Sequence, residues 1–384
     1  MSTTQSLKDQ TVRMIIAPHL GGGTLRLHFS NRYGAAPVTL GPITVALSGA
    51  GPSLVAGSER PVKFGGRRAL VIPAGGDAVS DPVRVSFAPF RALTVSVYVP
   101  GAVTRPVEHL VDRQSNYLTA PRGGDASAQS SGAAFTEKTT GLYSSGWYFL
   151  DGVDVLAPGS NGAVVAFGDS LTDGYQAKST GIEQLSTIDT NTRYPDDLAR
   201  RLIAARIPLS VLDAGISGDQ LLRSGLPTFG PGGLARFGPD VLAQAGVSDV
   251  IVLEGVNDIA QKATAASLIA AYEQLITRAH GAGVAIQLGT LTPTAGAVSA
   301  AYASAAATSV REQVNQWIRA EHFSDGIVDF DAAVRDPREP QAITPADQGG
   351  DHLHFSPAGN EALARAVDIA ALARPSCVVA AQRP

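Results

Sequence analysis

A change of period midway along the chain constrains the fold most. From residue 11 to about 110 the apolar residues alternate with polar ones. Leu25, Leu27 and Phe29 alternate with Arg26, His28 and Ser30, and Ile43, Val45 and Leu47 with Thr44, Ala46 and Ser48. Val83, Val85 and Phe87 repeat the pattern, as do Leu93, Val95, Val97 and Val99. Period two predicts strands buried on one face only. Gly21-Gly22-Gly23, Asn31-Arg32-Tyr33-Gly34 and Pro73-Ala74-Gly75-Gly76 punctuate these strands as turns, so an antiparallel, jelly-roll-like sandwich is expected. The triple glycine reads as a hairpin rather than a phosphate cradle, because no helix follows it to offer an anion-binding N-terminus. Residues 121–145, rich in Gly, Ser, Ala and Thr, read as a long surface loop.

After Ala157-Pro158-Gly159-Ser160-Asn161-Gly162 the pattern becomes strand and helix in alternation, which places a domain boundary between residues 158 and 159. Strands are predicted at Val164–Phe167, Leu209–Leu212, Val250–Leu253, Val284–Leu288 and Gly326–Phe330. Helices are predicted over Pro195–Ile207, Thr264–His280, a stretch carrying Val310, Val314 and Ile318, and Pro357–Ala373. Repeated strand–helix units imply a parallel sheet covered on both faces. The expected organisation is therefore an all-β domain over 1–158 and an α/β domain over 159–384.

Composition narrows the function. Charged residues make up 17% of 384 and the net charge is -4, with Lys and Arg scattered, which argues against a nucleic-acid partner. The single cysteine, Cys377, excludes an internal disulfide and a cysteine-based zinc cluster, and reads as a tail thiol. No run reaches the roughly 18 to 20 apolar residues of a membrane span. Met1 to Gln10 lack the apolar core of a secretory signal, so the chain as given reads as cytoplasmic, or as secreted if it is a trimmed form. Composition does not decide the oligomeric state.

The apolar run Val164-Val165-Ala166-Phe167 stops at Gly168-Asp169-Ser170, which presents Ser170 at the carboxyl end of a strand, where open α/β sheets carry their chemistry. A bare serine is a poor nucleophile and needs a base, an orienting acid and oxyanion donors. Three further blocks offer them: Asp213-Ala214-Gly215-Ile216-Ser217-Gly218-Asp219, Gly255-Val256-Asn257-Asp258 and Asp351-His352-Leu353-His354. Each lies at or beyond the end of a predicted strand, so a parallel sheet would bring all four to one edge.

In order and spacing this set resembles the GDSL, or SGNH, hydrolase family of esterases and lipases, over roughly residues 160–373. The resemblance implies a flavodoxin-like α/β/α fold. It makes Ser170 the nucleophile and Asp351 and His354 the acid and base, with Ser170 N–H, Gly218 N–H and the Asn257 amide as oxyanion donors. Two positions depart from the family pattern, Asp213 where Asn is usual and His352 where Gly is usual. The first half resembles the β-rich domain that precedes the hydrolase domain in a group of bacterial GDSL proteins.

The chemistry of these residue types agrees. Asp351 and His354 are three apart, so one turn can place both side chains on one face, and this spacing favours His354 over His352 as the base. Glycine at 218 lets a substrate oxygen approach the backbone. Asp169, Asp173 and Asp219 read as turn and cap residues rather than metal ligands, and no metal or other cofactor is expected. His28 and His109 read as structural. The expected activity is hydrolysis of carboxylic esters, with short acyl or acetyl esters of a carbohydrate or other polar alcohol as substrates, because Gln176 to Arg193 is largely polar. The alternatives are a lipase for longer chains, an acyltransferase, and a carbohydrate-binding protein with a retained hydrolase scaffold. The intact Ser170, Asn257 and His354 argue against the last.

Overall fold

The computed structural model describes residues 6–138, 146–157, 159–160, 162–224 and 229–372. Cys377, Ala373, the Pro158 and Asn161 of the boundary stretch, residues 1–5 of the amino terminus and residues 139–145 of the expected loop lie outside the described residues. The chain divides into two compact units, Met1–Gly159 with Ile188–Asn191, and Ser160–Thr187 with Thr192–Pro384. Ile188–Asn191, from the second half of the sequence, group with the first unit.

The first unit is built of antiparallel sheets. Its largest has six strands, in the order Phe135–Glu137, Tyr117–Thr119, Leu7–Ile16, Leu93–Val103, Ile43–Leu47 and Arg60–Val62. A second sheet centres on Gly22–Ser30, paired with Leu150–Val155, Asp77–Val79 and Val83–Phe87. The inward side chains of both sheets, among them Val12, Met14, Leu25, Leu27, Phe29, Val45, Val95 and Val97, form one buried cluster, which is the core of a β-sandwich.

Three expectations change here. Gly21-Gly22-Gly23 is not a hairpin, since the strands on either side of it, Leu7–Ile16 and Gly22–Ser30, belong to different sheets. The central strands of the large sheet are buried on both faces: Thr44, Ser48, Thr94 and Ser96 are buried along with their apolar neighbours. The cover comes from the segment read as a surface loop. Phe135–Glu137 extends the sheet, and Ala126 and Phe135 pack with Ile15 and Tyr117 in a second small core.

The second unit holds a five-stranded parallel sheet. Its strands are β1 (Gly162–Gly168), β2 (Leu209–Gly215), β3 (Val247–Leu253), β4 (Ala285–Gly289) and β5 (Gly326–Val328), in the order β2-β1-β3-β4-β5. With its flanking helices this is the flavodoxin-like α/β/α arrangement, whose strand order reverses between β1 and β3. β1 is buried from Ala163 to Gly168, as a strand with helices over both faces must be. The last predicted helix is shorter than expected, Pro357–Ala366 followed by a separate turn, Ile369–Leu372. Arg201 Nη1 donates to Val367 O at 2.9 Å and to Ala364 O, so the carbonyls at the helix end are met by a side chain.

Candidate active site

β1 ends at Gly168, where any side chain is excluded: a Cβ there would lie 2.2 Å from Leu253 O and 2.3 Å from Thr172 Oγ1. Asp169 follows as the N-cap of the short helix Ser170–Asp173, its Oδ1 accepting Leu171 N–H at 2.9 Å. Ser170 therefore opens a helix at the carboxyl end of β1, an interior strand, next to the topological switch point.

The fourth block meets it there. His354 Nε2 lies 2.9 Å from Ser170 Oγ, and His354 Nδ1 lies 2.6 Å from Asp351 Oδ2. Asp351 Oδ1 also accepts the backbone N–H groups of Leu353 (3.1 Å) and His354 (2.9 Å), so the turn itself fixes the carboxylate. Burial pushes the Asp351 carboxyl up, but the hydrogen bond and charge of His354, with the two backbone donors, outweigh this and bring it down to about 2. An ionised carboxylate can only accept, so Nδ1 carries the ring proton and Nε2 presents its lone pair to the serine hydroxyl. The Tyr175 ring packs edge-on against the imidazole, with centroids 4.8 Å apart. His352 is placed differently. It is exposed, and its backbone is left-handed at φ 59°, the conformation glycine adopts most easily.

The second and third blocks are tied to the first by side chains. Asp173 Oδ2 accepts both the N–H (2.9 Å) and the hydroxyl (2.6 Å) of Ser217. Gly218 has φ 83°, and a Cβ on it would meet the Phe229 ring at 2.5 Å, so the turn requires glycine twice over. Asn257 Nδ2 donates to Asp219 O at 2.8 Å, which places the amide beside the Gly218 turn. Among the described residues, the backbone N–H groups of Ser170 and Gly218 have no protein acceptor. Asp258 ties two of the blocks together. It lies inside Val256–Ala260 and accepts Leu221 N–H (2.7 Å) and Leu222 N–H (2.9 Å), fastening the third block to the second. Asp213, where Asn is usual, still makes a supporting bond, its Oδ1 accepting Gly215 N–H at 2.9 Å.

Beneath these loops lies a residue that sequence reasoning missed. The buried Arg236 guanidinium donates to Asp219 Oδ2 (2.5 Å), Ala214 O (2.7 Å) and Gly168 O (2.8 Å), and stands 3.7 Å from Glu254 Oε2. Burial works against its charge, and Glu254, Asp219 and Asp240 more than restore it. Burial and the Asp219 charge push Glu254 well above the usual carboxylate range, and burial pushes Asp169 up to about 7 despite the Leu171 N–H it accepts. Its only signal in the sequence is a charge amid Gly232-Gly233-Leu234-Ala235 and Phe237. A second missed residue is Tyr302, whose hydroxyl donates to Asn257 Oδ1 at 2.8 Å. Among the described residues, no three His, Cys, Asp or Glu side chains converge as metal ligands would, and no helix is long and apolar enough to cross a membrane.

Fold and site together define a flavodoxin-like α/β/α domain with a serine–histidine–aspartate chain at the carboxyl edge of its sheet. Residues 166–362, just over half the chain, match the family model described as GDSL-like Lipase/Acylhydrolase. The protein belongs to that family. Similar solved structures include Est24, a carbohydrate acetylesterase from Sinorhizobium meliloti (18% identity, 55% of this chain and 99% of that one, TM-score 0.44). Others are the M. smegmatis aryl esterase (19%, 55% and 96%, 0.43) and the lipase/acylhydrolase from Enterococcus faecalis (22%, 53% and 92%, 0.39). No curated protein matches the chain.

Proposed function

We propose that the protein is a serine esterase that cleaves carboxylic esters through an acyl-enzyme on Ser170. The unbroken chain from Asp351 through His354 to Ser170 Oγ, at 2.6 and 2.9 Å, carries this reading. His354 Nε2 takes the hydroxyl proton as Ser170 Oγ attacks the ester carbonyl, and Asp351 stabilises the imidazolium that forms. The carbonyl oxygen becomes negative and is met by Ser170 N–H, Gly218 N–H and the second Nδ2–H of Asn257, all neutral donors. The same proton then passes to the departing alcohol. Water, deprotonated by His354, releases the acid and returns the serine.

Short acyl groups, acetyl above all, on a carbohydrate or other polar alcohol are the substrates this reading favours. Leu221 and Leu291 are buried in the core at 0% and 1% exposure, and Leu222 is half-buried. The Phe229 ring stands against Gly218 and limits the room beside the oxyanion position. Only Ile182 and Leu185 in the loop after the nucleophile offer large exposed apolar surface.

Treatment with a phosphonylating ester should give one adduct, on the peptide containing Ser170, and a Ser170→Ala protein should give none. Equal labelling of the variant would remove the serine from the chemistry. kcat/KM for nitrophenyl esters should peak at the shortest chains, with acetate released from acetylated oligosaccharides. A steady rise with chain length would instead make the enzyme a lipase.

A further inference from the structure

We propose that Tyr302 is a positioning residue for the oxyanion, its hydroxyl orienting and polarising the Asn257 amide that receives the developing charge. The proposal rests on the esterase reading above and adds to it a residue in none of the four blocks. The geometry leaves no choice of orientation for the amide. Asp219 O, a carbonyl, can only accept, so the end of the Asn257 side chain 2.8 Å from it is Nδ2. Oδ1 then faces Tyr302 Oη at 2.8 Å, and the hydroxyl must donate to it. One Nδ2 proton goes to Asp219 O, which leaves the other for the substrate oxygen.

Two consequences follow from this relay of Tyr302 to Asn257 to Asp219 O. A hydrogen bond accepted by the amide oxygen draws charge from the nitrogen and makes its remaining N–H a better donor, an effect that is stronger away from water. Asn257 is buried, at 7% exposure. The relay also prevents the amide from turning over, which would aim an oxygen lone pair at the oxyanion. Burial, with the charges of Asp169 and Asp351, pushes the Tyr302 hydroxyl up to about 12, so it keeps its proton at any working pH.

Tyr302 is itself held in place. Thr294 Oγ1 donates to its carbonyl at 2.9 Å, and its own N–H donates to Ser299 O at 3.1 Å. The same segment reaches the acid–base turn, Val298 N–H donating to Asp351 O at 3.1 Å. Residues 294–302 thus bridge Asn257 and the aspartate of the histidine loop.

Because the oxyanion exists only in the transition state, losing the relay should lower kcat and leave KM alone. In the full-length chain, Tyr302→Phe should reduce kcat on an acetyl nitrophenyl ester about three- to tenfold with KM unchanged, while the melting temperature falls modestly because the buried Asn257 Oδ1 loses its donor. The deciding measurement is the double-mutant cycle with Asn257→Ala. In that background Tyr302→Phe should cost less than about twofold, since the group it acts through is gone. An unchanged kcat in Tyr302→Phe, or the same fractional loss with and without Asn257, overturns the proposal. If Asn257→Ala itself leaves kcat intact, the oxyanion role of Asn257 falls, and that of Tyr302 with it. If Asn257→Ala is damaging and Tyr302→Phe is silent, only the inference about Tyr302 is lost.

Discussion

In the first unit the Arg13 guanidinium, fully buried, donates to the carbonyls of Pro52, Gln129 and Ser131 and to Ser96 Oγ, and its face covers the Phe135 ring at 3.8 Å. In the second, Arg236 is buried as completely, and it spans two carboxylates and two carbonyls directly under the Ser170 and Gly218 turns. The first arginine fastens a cover onto a sheet, and its partners are neutral, so burial pulls it down to about 10 despite the charge of Glu59. The second is the cation of a site crowded with acids, and its charge is held by them. Buried polarity serves architecture in one unit. In the other it fastens together the turns that carry Ser170, Gly218 and Asn257.

The sharpest way to break this contrast is to delete each guanidinium. Arg236→Met strands Asp219 and Glu254 in the interior, and unpairing buried ions costs about 3–5 kcal/mol. Arg13→Met strands only carbonyls, at about 1–3 kcal/mol for each left without a partner. Denaturant melts should show the larger loss for Arg236→Met, growing at alkaline pH where the acids ionise, together with lost esterase activity. Arg13→Met should lower stability with no pH trend below about pH 9, where the guanidinium is charged in the folded and unfolded chain alike, and leave kcat near its starting value. Equal and pH-independent losses would mean that the two arginines do the same work.

Next in size is Asn257→Ala, expected to cost on the order of 10²–10³ in kcat, about 3–4 kcal/mol of transition-state stabilisation, with the fold retained. A change below about threefold would make Asn257 a tie to Asp219 O and nothing more.

A smaller effect isolates the acids. The Asp169 carboxyl is held at about 7, above its unfolded value, so the folded state binds the extra proton between about pH 4 and 7 and stability falls as pH rises through that window. Asp169→Asn keeps an acceptor for Leu171 N–H but carries no charge. Its melting temperature should decline less between pH 4 and 7 than that of the parent, whatever the absolute values. An unchanged slope would show that some other group gives up the proton.

What could be read in advance follows the range of each interaction. The turns carrying Ser170, Gly218 and Asn257 each come directly after a β-rich run, and Asp351 and His354 are three residues apart, so local rules of period and spacing reach them. The distances that join them were not legible, and neither were residues whose role depends on distant partners. Arg236 reaches back 68 residues to Gly168 O, and Tyr302 reaches 45 to Asn257. The two-sided burial of Thr44 and Thr94 has the same origin, since period two cannot announce that residues 126 and 135 will return to cover the outer face. The carbonyls at the end of Pro357–Ala366 are likewise met by Arg201, which lies 166 residues before Val367.

The smallest expected effect bears on the identity of the base. His352 occupies a left-handed position, φ 59°, where a non-glycine residue costs roughly 1–2 kcal/mol. Its ring rests against Gly296, 3.2 Å from where a Cβ there would be. Glycine at 352 would relieve the backbone strain and remove the imidazole in one step, though it adds freedom to the unfolded chain worth about 0.5–1 kcal/mol. Those terms nearly cancel, so His352→Gly should melt within about 1 kcal/mol of the parent, on the stabilising side. With His354 as the base, kcat should stay within about threefold, because the imidazole hydrogen-bonded to Ser170 is still present. His354→Ala should abolish turnover while His352→Gly does not. If the ring at 352 were the proton acceptor the two results would be exchanged, and the hydrogen bonds from Asp351 through His354 to Ser170 would be an architectural tie of the kind Arg13 makes in the sandwich.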